Sequence, residues 1–472
     1  MNVYAAIPAI PAEFLTTTNI TGGSSAPAPK FQTLPNGLRI VYERSPSVLP
    51  ITSIQAFVHL GSANEVDGIR GVSHIIEHMV FKGTKRRPEP MQISQIFDET
   101  GAYMNAYTEK QFTCYVIKCQ NHATKEAINT LSDMLFHSIM KHGEYIKEYD
   151  VVIEEAKKSR DDISNEVFDG ISAMLYKGSS YENAIDDLSY HPKNHRILYE
   201  DAVNIYKSYY LPQNIVLSVV SSLPYSDIVK YIKHSYFSKA LDEPQIAHPA
   251  IREPILYLEP IKDSKQYAFQ KTKQAYETTN IAVGFRVCNM HCRDKYVLNL
   301  LKFVLVGPIS SRFFHILRDE NGLTYRTEVN INYYEHAGDF TIFTQVDNTK
   351  LMQNNTIHGP GLIPLLFKIL RNLREKGISS EELEIAKGYM RGILTRNLED
   401  NNNLADHNGL TVLFSYSDLY SYRRKYDLCY KKISRERINS VIRKYFRQDN
   451  MCVYICGNKL PVENVLMRAA AI

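Results

Sequence analysis

The sequence predicts an α+β protein made of two duplicated domains, each a largely antiparallel sheet with helices packed on one face. The strand and helix patterns come in blocks rather than in strict alternation, which favours α+β layers over a parallel α/β sheet. The order of these patterns in the first half returns in the second half. The chain has 472 residues, of which 44% are hydrophobic, so it can bury large cores, and its length suggests two or more domains.

Breaks in the pattern predict the limits of the domains. The segment 236–264 contains four prolines, which follow one another at intervals of five or six residues from Pro244 to Pro260, and this leaves no room for a long helix and indicates a linker. The first 30 residues are rich in small residues and proline near their end and indicate a flexible extension. We therefore expect an N-terminal extension over 1–30, a first domain over 31–235, a linker over 236–264, a second domain over 265–460 and a C-terminal tail over 461–472.

Local periodicity predicts the elements of the first domain. Alternating or apolar runs indicate strands over 38–42 and 51–60, and two further strands within 102–118 that are interrupted near 108–111. Helical periodicity covers four segments, which are 71–81, 91–99, 123–141 and 144–160. The strands are expected to form the sheet on which these helices pack.

The second half repeats this order, with a strand over 279–287, a helix over 295–306, paired strands within 323–346 and helices over 362–376 and from 380 onward.

One segment, residues 71–81, carries the chemistry of the first half. With about 100° per residue, His74, Glu77 and His78 fall in one polar arc of a helix, and the apolar residues of the segment occupy the other side. Two imidazoles one turn apart can bind a metal ion, and the carboxylate between them is left to act on water. The alternative is an ordinary half-exposed helix that carries these residues by chance. A chance match of this pattern somewhere in such a chain has a probability of roughly 3%.

A third ligand is predicted from the helix over 144–160. A catalytic zinc site needs three protein ligands and one open position, and a carboxylate from a second helix can complete the set. Glu148 and Glu155 are two turns apart and share a stripe beside the apolar face, whereas Glu154 points away from it. The sequence therefore favours Glu155 as the third ligand.

At these residues the chain resembles the pitrilysin-type inverzincin peptidases, and among them the catalytic beta subunit of mitochondrial processing peptidase. The resemblance spans roughly residues 31–460, and the matching segments are 74–84, 101–108, 148–155, 310–318 and 322–325. It implies one zinc ion per chain, bound by His74, His78 and Glu155. It further implies that Glu77 is the general base and that Glu148 lies in the second shell of the metal.

The resemblance also implies residues that bind the substrate. Asn105 and Ala106 match an edge strand to which an extended peptide adds by main-chain hydrogen bonds. Arg318 and Tyr325 match a pair that reaches the substrate near the scissile bond and helps the metal to stabilise the oxyanion. The alternative for this pair is that Arg318 caps or pairs within its own helix and that Tyr325 packs in a strand.

Only the first half is expected to bind metal. When the halves are aligned through Gly83 and Gly307, the three motif positions meet Leu298, Leu301 and Lys302. Alignment through Gly143 and Gly377 places Tyr389 opposite Glu155. None of these four residues is an ordinary zinc ligand.

These observations predict a zinc-dependent endopeptidase that cleaves extended polypeptides. Related folds also serve as non-catalytic core or scaffold subunits, which is the alternative function. The resemblance implies a chamber of four such domains, and this chain supplies two. We therefore expect a homodimer or a heterodimer with a related subunit.

Composition argues against several other classes of protein. The net charge is +4, and the basic clusters at 85–87 and 423–425 are too short for a nucleic-acid surface. The most apolar run, 296–309, is too short for a membrane span and contains Lys302. Seven cysteines without a framework spacing, and no recognisable signal or transit peptide, favour the cytoplasm or another reducing compartment. Glu182, Asp186 and Asp187 fit either an acidic subsite or a solvated loop.

Overall fold

The computed structural model describes residues 28–457 apart from 67, 186–196, 240–266, 272–276, 355–356 and 415–420. Asp186 and Asp187, most of the expected linker, nearly all of the expected N-terminal extension and the C-terminal tail lie outside the described residues. The limits of the two domains therefore stay predictions.

The first half forms a six-stranded sheet with the order β1-β2-β6-β3-β5-β4. Its strands are β1 (Lys30–Thr33), β2 (Arg39–Arg44), β3 (Ile51–Val58), β4 (Tyr103–Thr108), β5 (Thr113–Gln120) and β6 (Ile215–Ser221). All neighbouring strands are antiparallel except β2 and β6, which are parallel. β4 is an outermost strand of this sheet.

The second half forms a five-stranded sheet with the order β7-β13-β8-β10-β9. Its strands are β7 (Tyr267–Lys271), β8 (Thr278–Val287), β9 (Thr327–Tyr333), β10 (Gly338–Asp347) and β13 (Met451–Gly457), and the short pair β11 (Gln353–Asn354) and β12 (Gly359–Pro360) lies apart. Again one neighbouring pair, β7 and β13, is parallel. The order matches β2-β6-β3-β5-β4 of the first sheet strand for strand, which confirms two duplicated α+β domains.

One face of each sheet is covered by helices from the same half of the chain. In the first half these helices are α1 (Val72–Val80), α2 (Pro90–Thr100), α3 (Thr124–His137), α4 (His142–Asp161), α6 (Tyr199–Tyr209) and α7 (Tyr225–Lys233). In the second half they are α8 (Asp294–Leu305), α9 (Leu362–Lys376), α10 (Ser380–Arg396) and α12 (Arg435–Tyr445). The predicted helices and strands thus exist, with shifted ends.

The largest such shift is at the helix predicted over 123–141, which already ends at His137. Ser138 leaves the helix to form an isolated bridge with Thr84, and Met140 has a positive φ of 45°. The chain needs this sharp exit because α4 begins at His142 and returns towards α1.

Two helices cross between the halves. α5 (Ile163–Leu175) belongs to the first half but packs on β8 and β13 of the second sheet. α11 (Asn401–Leu413) belongs to the second half but packs on β2, β3 and β6 of the first sheet. Each sheet is therefore covered on its other face by a helix from the opposite half, an exchange that the sequence did not predict.

Small residues allow both of these helices to approach closely. A Cβ atom on Gly409 of α11 would lie 2.1 Å from the ring of Phe57 in β3. Likewise, a Cβ atom on Gly170 of α5 would lie 2.3 Å from the ring of Tyr454 in β13. Both distances are shorter than any ordinary carbon contact, so a larger side chain at either position would push the helix off the sheet.

Polar groups of α11, together with Ser421 beyond its end, also contact the first sheet. The buried carboxylate of Glu43 in β2 accepts hydrogen bonds from Asn408 and Ser421, each at 2.8 Å. Ser218 in β6 donates to the carbonyl of Ala405 at 2.7 Å. These bonds satisfy polar groups that would otherwise be costly to bury.

Among the described residues, the helices include none with the length and apolar character that crossing a bilayer demands. All seven cysteines carry free thiols.

Candidate metal centre

The helix α1 presents the motif, and its position is fixed by burial and by an upstream carboxylate. Its apolar side, Val72, Ile75, Ile76, Met79 and Val80, is completely buried in the first core. The buried carboxylate of Glu65 accepts hydrogen bonds from the backbone N–H groups of Gly71 at 2.6 Å and Ser73 at 2.8 Å. It therefore satisfies donors at the first turn of α1 that have no partner within the helix.

Burial raises the pKa of Glu65 to about 7, although the two backbone donors oppose this shift. Gly71, which precedes the helix, has a φ of 88°, a left-handed conformation that glycine adopts at little cost.

Three ligand atoms converge above α1. The Nε2 atoms of His74 and His78 lie 3.2 Å apart. Oε2 of Glu155, from α4, lies 3.8 Å from Nε2 of His74 and 3.5 Å from Nε2 of His78. Within the part of the chain that the structure describes, these residues form the only group of three or more His, Cys, Asp or Glu side chains able to hold a metal ion.

The spacing of these atoms fits a zinc ion. Zinc binds imidazole nitrogen and carboxylate oxygen at about 2.0–2.2 Å in tetrahedral geometry, which separates any two ligand atoms by about 3.3–3.5 Å. The observed separations of 3.2, 3.5 and 3.8 Å are close to this value. The side chain of Glu155 is 50% exposed, so the centre is open to solvent on one side. Such a site can take three protein ligands and still admit a small molecule.

Glu148 supports one of the imidazoles from behind. Its Oε2 lies 3.2 Å from Nδ1 of His78, and its Oε1 accepts from Nζ of Lys82 at 2.7 Å. Burial would raise the pKa of Glu148, but the hydrogen bonds from His78 and Lys82 outweigh burial and hold that pKa below its ordinary value. An ionised Glu148 that accepts from Nδ1–H leaves the lone pair of Nε2 free for a metal.

Glu77 lies between the two imidazoles in sequence but outside the group of three. Its side chain is buried, and its Oε2 accepts a hydrogen bond from Oγ1 of Thr108 at 2.7 Å. Burial raises the pKa of Glu77, although the Thr108 hydrogen bond and the nearby histidines act against that shift. A buried carboxylate with a raised pKa beside a metal centre suits the role of a proton acceptor.

The side chains of the neighbouring residues Glu154 and Glu155 point to different sides of α4. Glu154 points to solvent, with a side chain 71% exposed, and accepts from Lys157 at 2.6 Å. Glu155 instead faces the two imidazoles. The structure therefore places the two carboxylates on the sides of α4 that the helical period predicts.

Asn105 and Ala106 lie on the edge strand β4. Asn105 is exposed, and its Nδ2 donates to the hydroxyl of Tyr103 at 3.0 Å. Ala106 is half-buried and packs against the first core. β4 also runs beside α1, so a peptide on this edge would pass close to the motif.

Arg318 and Tyr325 contact each other. The guanidinium of Arg318 lies 4.4 Å from the ring centre of Tyr325 and 4.7 Å from that of Phe314. Tyr325 is 85% exposed and precedes β9, so it is not packed in a strand as the alternative would require. The reach of this pair to a substrate stays a prediction.

The equivalent positions of the second half are part of its core. Leu298 and Leu301 of α8 are completely buried. Tyr389 of α10, opposite Glu155 in the alignment, packs its ring against Phe303 at 5.0 Å. The α8 and α10 pair thus repeats the α1 and α4 pair, with apolar contacts where the first half has the three converging side chains.

Sequence reasoning gave no role to three residues that hold the centre: Glu65, Lys82 and Thr108. Lys82 and Thr108 lie within the segments that carry the family resemblance, but the resemblance suggested no partner for either. Glu65 lies six and eight residues before the backbone groups that it caps, outside the usual spacing of a helix N-cap. No local pattern signals such contacts.

Comparison with known proteins agrees with both halves of the fold. The sequence profile described as Insulinase (Peptidase family M16) matches residues 39–187, and the profile described as Peptidase M16 inactive domain matches residues 196–390. An uncharacterized zinc protease of Bacillus subtilis, YmxG, is 30% identical over 427 residues, which cover 89% of this chain and 96% of that protein. An uncharacterized zinc protease of Rickettsia felis is 28% identical over 370 residues, covering 76% and 82%.

Two solved structures share the fold. A protease from Helicobacter pylori gives a TM-score of 0.78 at 20% identity and covers 91% of this chain and 100% of its own. A peptidase M16 inactive domain from Pseudomonas fluorescens gives a TM-score of 0.78 at 16% identity and covers 92% and 99%. The two M16 profile matches, together with the similarity to the zinc protease of Bacillus subtilis over nearly its whole length, establish that the chain belongs to peptidase family M16, the insulinase family.

Proposed function

We propose that this M16 chain is a zinc-dependent endopeptidase that cleaves extended polypeptides in the manner of a processing peptidase. The observation that carries the proposal is the separation of roles at α1 and α4. Three ligand atoms converge within 4.8 Å of one another, while the carboxylate of Glu77 is held apart from them by Thr108.

Each side chain of the centre has a distinct task in this proposal. His74, His78 and Glu155 would hold one zinc ion, and Glu148 would keep the Nδ1 proton of His78 in place. When bound, zinc supplies Lewis-acid chemistry and lowers the pKa of water. Glu77 accepts a proton from the attacking water at a carboxylate oxygen and later donates it to the leaving amine.

The substrate would bind in an extended form beside α1. The main chain of Asn105 and Ala106 on β4 offers hydrogen bonds to a peptide that adds to the sheet edge. Such binding reads backbone more than side chains. Arg318 and Tyr325 would contribute donors that stabilise the oxyanion near the scissile bond.

The proposal includes assembly into a chamber of two chains. The metal-free second half would line the chamber rather than act as a second enzyme. The partner is a second copy of this chain or a related subunit. The other candidate function, a non-catalytic scaffold of the same fold, would leave the convergence of three ligand atoms without a use.

Zinc content and peptide cleavage on the purified full-length chain test this function together. We expect about one zinc per chain and cleavage of unfolded casein or of internally quenched peptides, lost on zinc chelation and restored by zinc. Zinc-loaded protein that cleaves neither probe, alone or mixed with a related subunit, would favour the scaffold. Glu154→Gln, on the exposed side of α4, is the control that should behave as the wild type.

A further inference from the structure

We infer that Thr108 is a positioning residue that fixes the carboxylate of Glu77 and links it to the strand that receives the substrate. This inference rests on the proposed function, because it concerns the same active site. Its starting point is the 2.7 Å hydrogen bond from Oγ1 of Thr108 to Oε2 of Glu77.

The contact is built into the protein rather than made at its surface. Thr108 is 8% exposed and Glu77 is 7% exposed, so water competes little for this hydrogen bond. A hydrogen bond to a carboxylate in such surroundings is stronger than one between neutral groups. It therefore restricts the rotation of the Glu77 carboxylate.

A second threonine supports the first. Oγ1 of Thr113, across the β4–β5 pair, donates to the carbonyl of Leu60 at 2.9 Å and lies 3.4 Å from Oγ1 of Thr108. Because the Thr113 proton is used by Leu60, the Thr108 hydroxyl keeps its own proton for Glu77.

This arrangement leaves the two oxygens of Glu77 with different tasks. Oε2 accepts from Thr108, and among the described residues no side chain donates a hydrogen bond to Oε1. We assign Oε1 to the proton that leaves the attacking water. A general base works well only when its oxygen is held at the right place, so a loose carboxylate should lower the rate of the chemical step.

The place of Thr108 in the sheet links this base to substrate binding. Thr108 is the last residue of the edge strand β4, two positions after Ala106. Alternate residues of a strand share a face, and Ala106 packs on the core that contains the apolar side of α1 while Thr108 contacts Glu77 of α1, so both lie on the side towards α1. A peptide paired with β4 would stiffen this strand up to the residue that holds Glu77. The base would then be best ordered when an extended substrate occupies the edge.

Matched substitutions separate the hydroxyl from the shape of the side chain. Thr108→Val keeps the branched shape and removes the donor, whereas Thr108→Ser keeps the donor. We expect Thr108→Val to lower kcat about ten-fold with KM within about two-fold of wild type and with unchanged zinc content. Thr108→Ser should recover most of kcat. Equal kcat in wild type and Thr108→Val would overturn the inference.

Thr113→Val is the control for a merely structural effect, since it removes a buried hydroxyl of the same cluster without removing the donor to Glu77. It should change kcat less than Thr108→Val does. Equal loss in both variants at equal thermal stability would mean that the cluster supports the fold, not the base.

Substrate length gives a second readout. Two internally quenched peptides share the cleaved sequence, and one is extended so that it can pair along β4. The wild type should show a higher kcat on the longer peptide, and Thr108→Val should lose most of this advantage. A length advantage of the same size in both proteins would refute the link between the edge strand and the base.

Crystal structures of zinc-loaded wild type, Thr108→Val and Thr108→Ser keep this inference separate from the proposed function. We expect the Glu77 carboxylate to be rotated or spread over several positions in Thr108→Val and to return to the wild-type position in Thr108→Ser. An unchanged Glu77 in Thr108→Val would overturn the inference even if the enzyme is active. A wild type that cleaves no probe would defeat the proposed function, whereas the position of Glu77 would still decide the role of Thr108.

Discussion

At the scale of single residues, the candidate metal centre combines three converging side chains from two helices with supports that come from elsewhere in the chain. Glu148 contacts the imidazole of His78 and is itself paired with Lys82, and Thr108 holds Glu77. Such supports set the orientation of ligands and base, which the ligands cannot set by themselves. Substitutions at this scale should therefore separate metal binding from turnover.

Glu77→Gln should retain zinc and lose turnover. The amide has nearly the same size but lacks the basic oxygen that accepts a proton, so we expect kcat to fall by at least about 100-fold. Metal analysis and cleavage of a quenched peptide by the same preparation measure both properties. Near-normal activity in the zinc-loaded variant would show that another group is the base.

Glu155→Gln and Glu154→Gln should differ in zinc affinity. Loss of the Glu155 carboxylate removes one of three converging ligand atoms, so zinc should bind at least about ten-fold more weakly. Glu154→Gln should bind zinc as the wild type does, because Glu154 pairs with Lys157 at the surface. Competition with a chelator measures the two affinities, and equal zinc loss in both variants would contradict the assignment.

At the scale of elements, the segment between α1 and α2 is tied to α3 by one buried carboxylate. Asp133 of α3 accepts from Thr84 and from Arg87, each at 2.7 Å, and lies 3.5 Å from Nδ1 of His137. Burial would raise the pKa of Asp133, but the hydrogen bonds and the charge of Arg87 outweigh it, so the pKa lies below its usual value. This network fixes the segment that follows α1 against α3.

Asp133→Asn should reduce the free energy of unfolding at pH 7 by about 2 kcal/mol, because a neutral amide replaces the charged acceptor of the Thr84 and Arg87 hydrogen bonds, while Glu126 stays a partner of Arg87. A folded-state pKa below the unfolded value of 3.8 stabilises the protein above that pH, and this contribution is lost as the pH falls through the folded-state pKa. Urea unfolding of metal-free wild type and variant from pH 7 to pH 3 measures this contribution to the free energy of unfolding. A constant difference between wild type and variant over this range would contradict the argument.

At the scale of the whole molecule, the exchange of α5 and α11 makes each half depend on the other. The first sheet is completed by α11 and the second by α5, so neither sheet is covered on both faces by its own half. Substitutions at these contacts should therefore lower the stability of both halves.

Gly409→Leu should destabilise the entire chain, because the side chain would collide with Phe57. We expect Tm to fall by several degrees, with one unfolding transition shared by both halves. Hydrogen exchange of the backbone amides in both sheets measures this transition. Gly388→Leu, on α10 at a position with open space around it, is the control. Loss of protection in the first sheet alone would show that the halves unfold independently.

We also expect two chains to assemble around one chamber. Light scattering on active, purified protein should give about twice the chain mass of 54.2 kDa. If the partner is a related subunit, a cleavage assay should show activity only after that subunit is added. A monomer with full peptidase activity would contradict the chamber of two chains.

The sequence by itself determined the elements, the duplication and the place of the candidate metal motif. These features follow from local periodicity: the 3.6-residue period puts His74 and His78 on one side of α1 and separates Glu155 from Glu154 on α4. The return of the same element order, without the motif, indicated a second domain that lacks a metal site.

Only the tertiary structure decided which distant groups support that motif and how the halves are joined. Glu65 reaches the start of α1 from a preceding loop, and Thr108 reaches Glu77 from a strand 31 residues away. The exchange of α5 and α11 likewise depends on close approach at Gly170 and Gly409. Such contacts depend on how sheets and helices pack across long sequence separations, and periodicity carries no information about that distance.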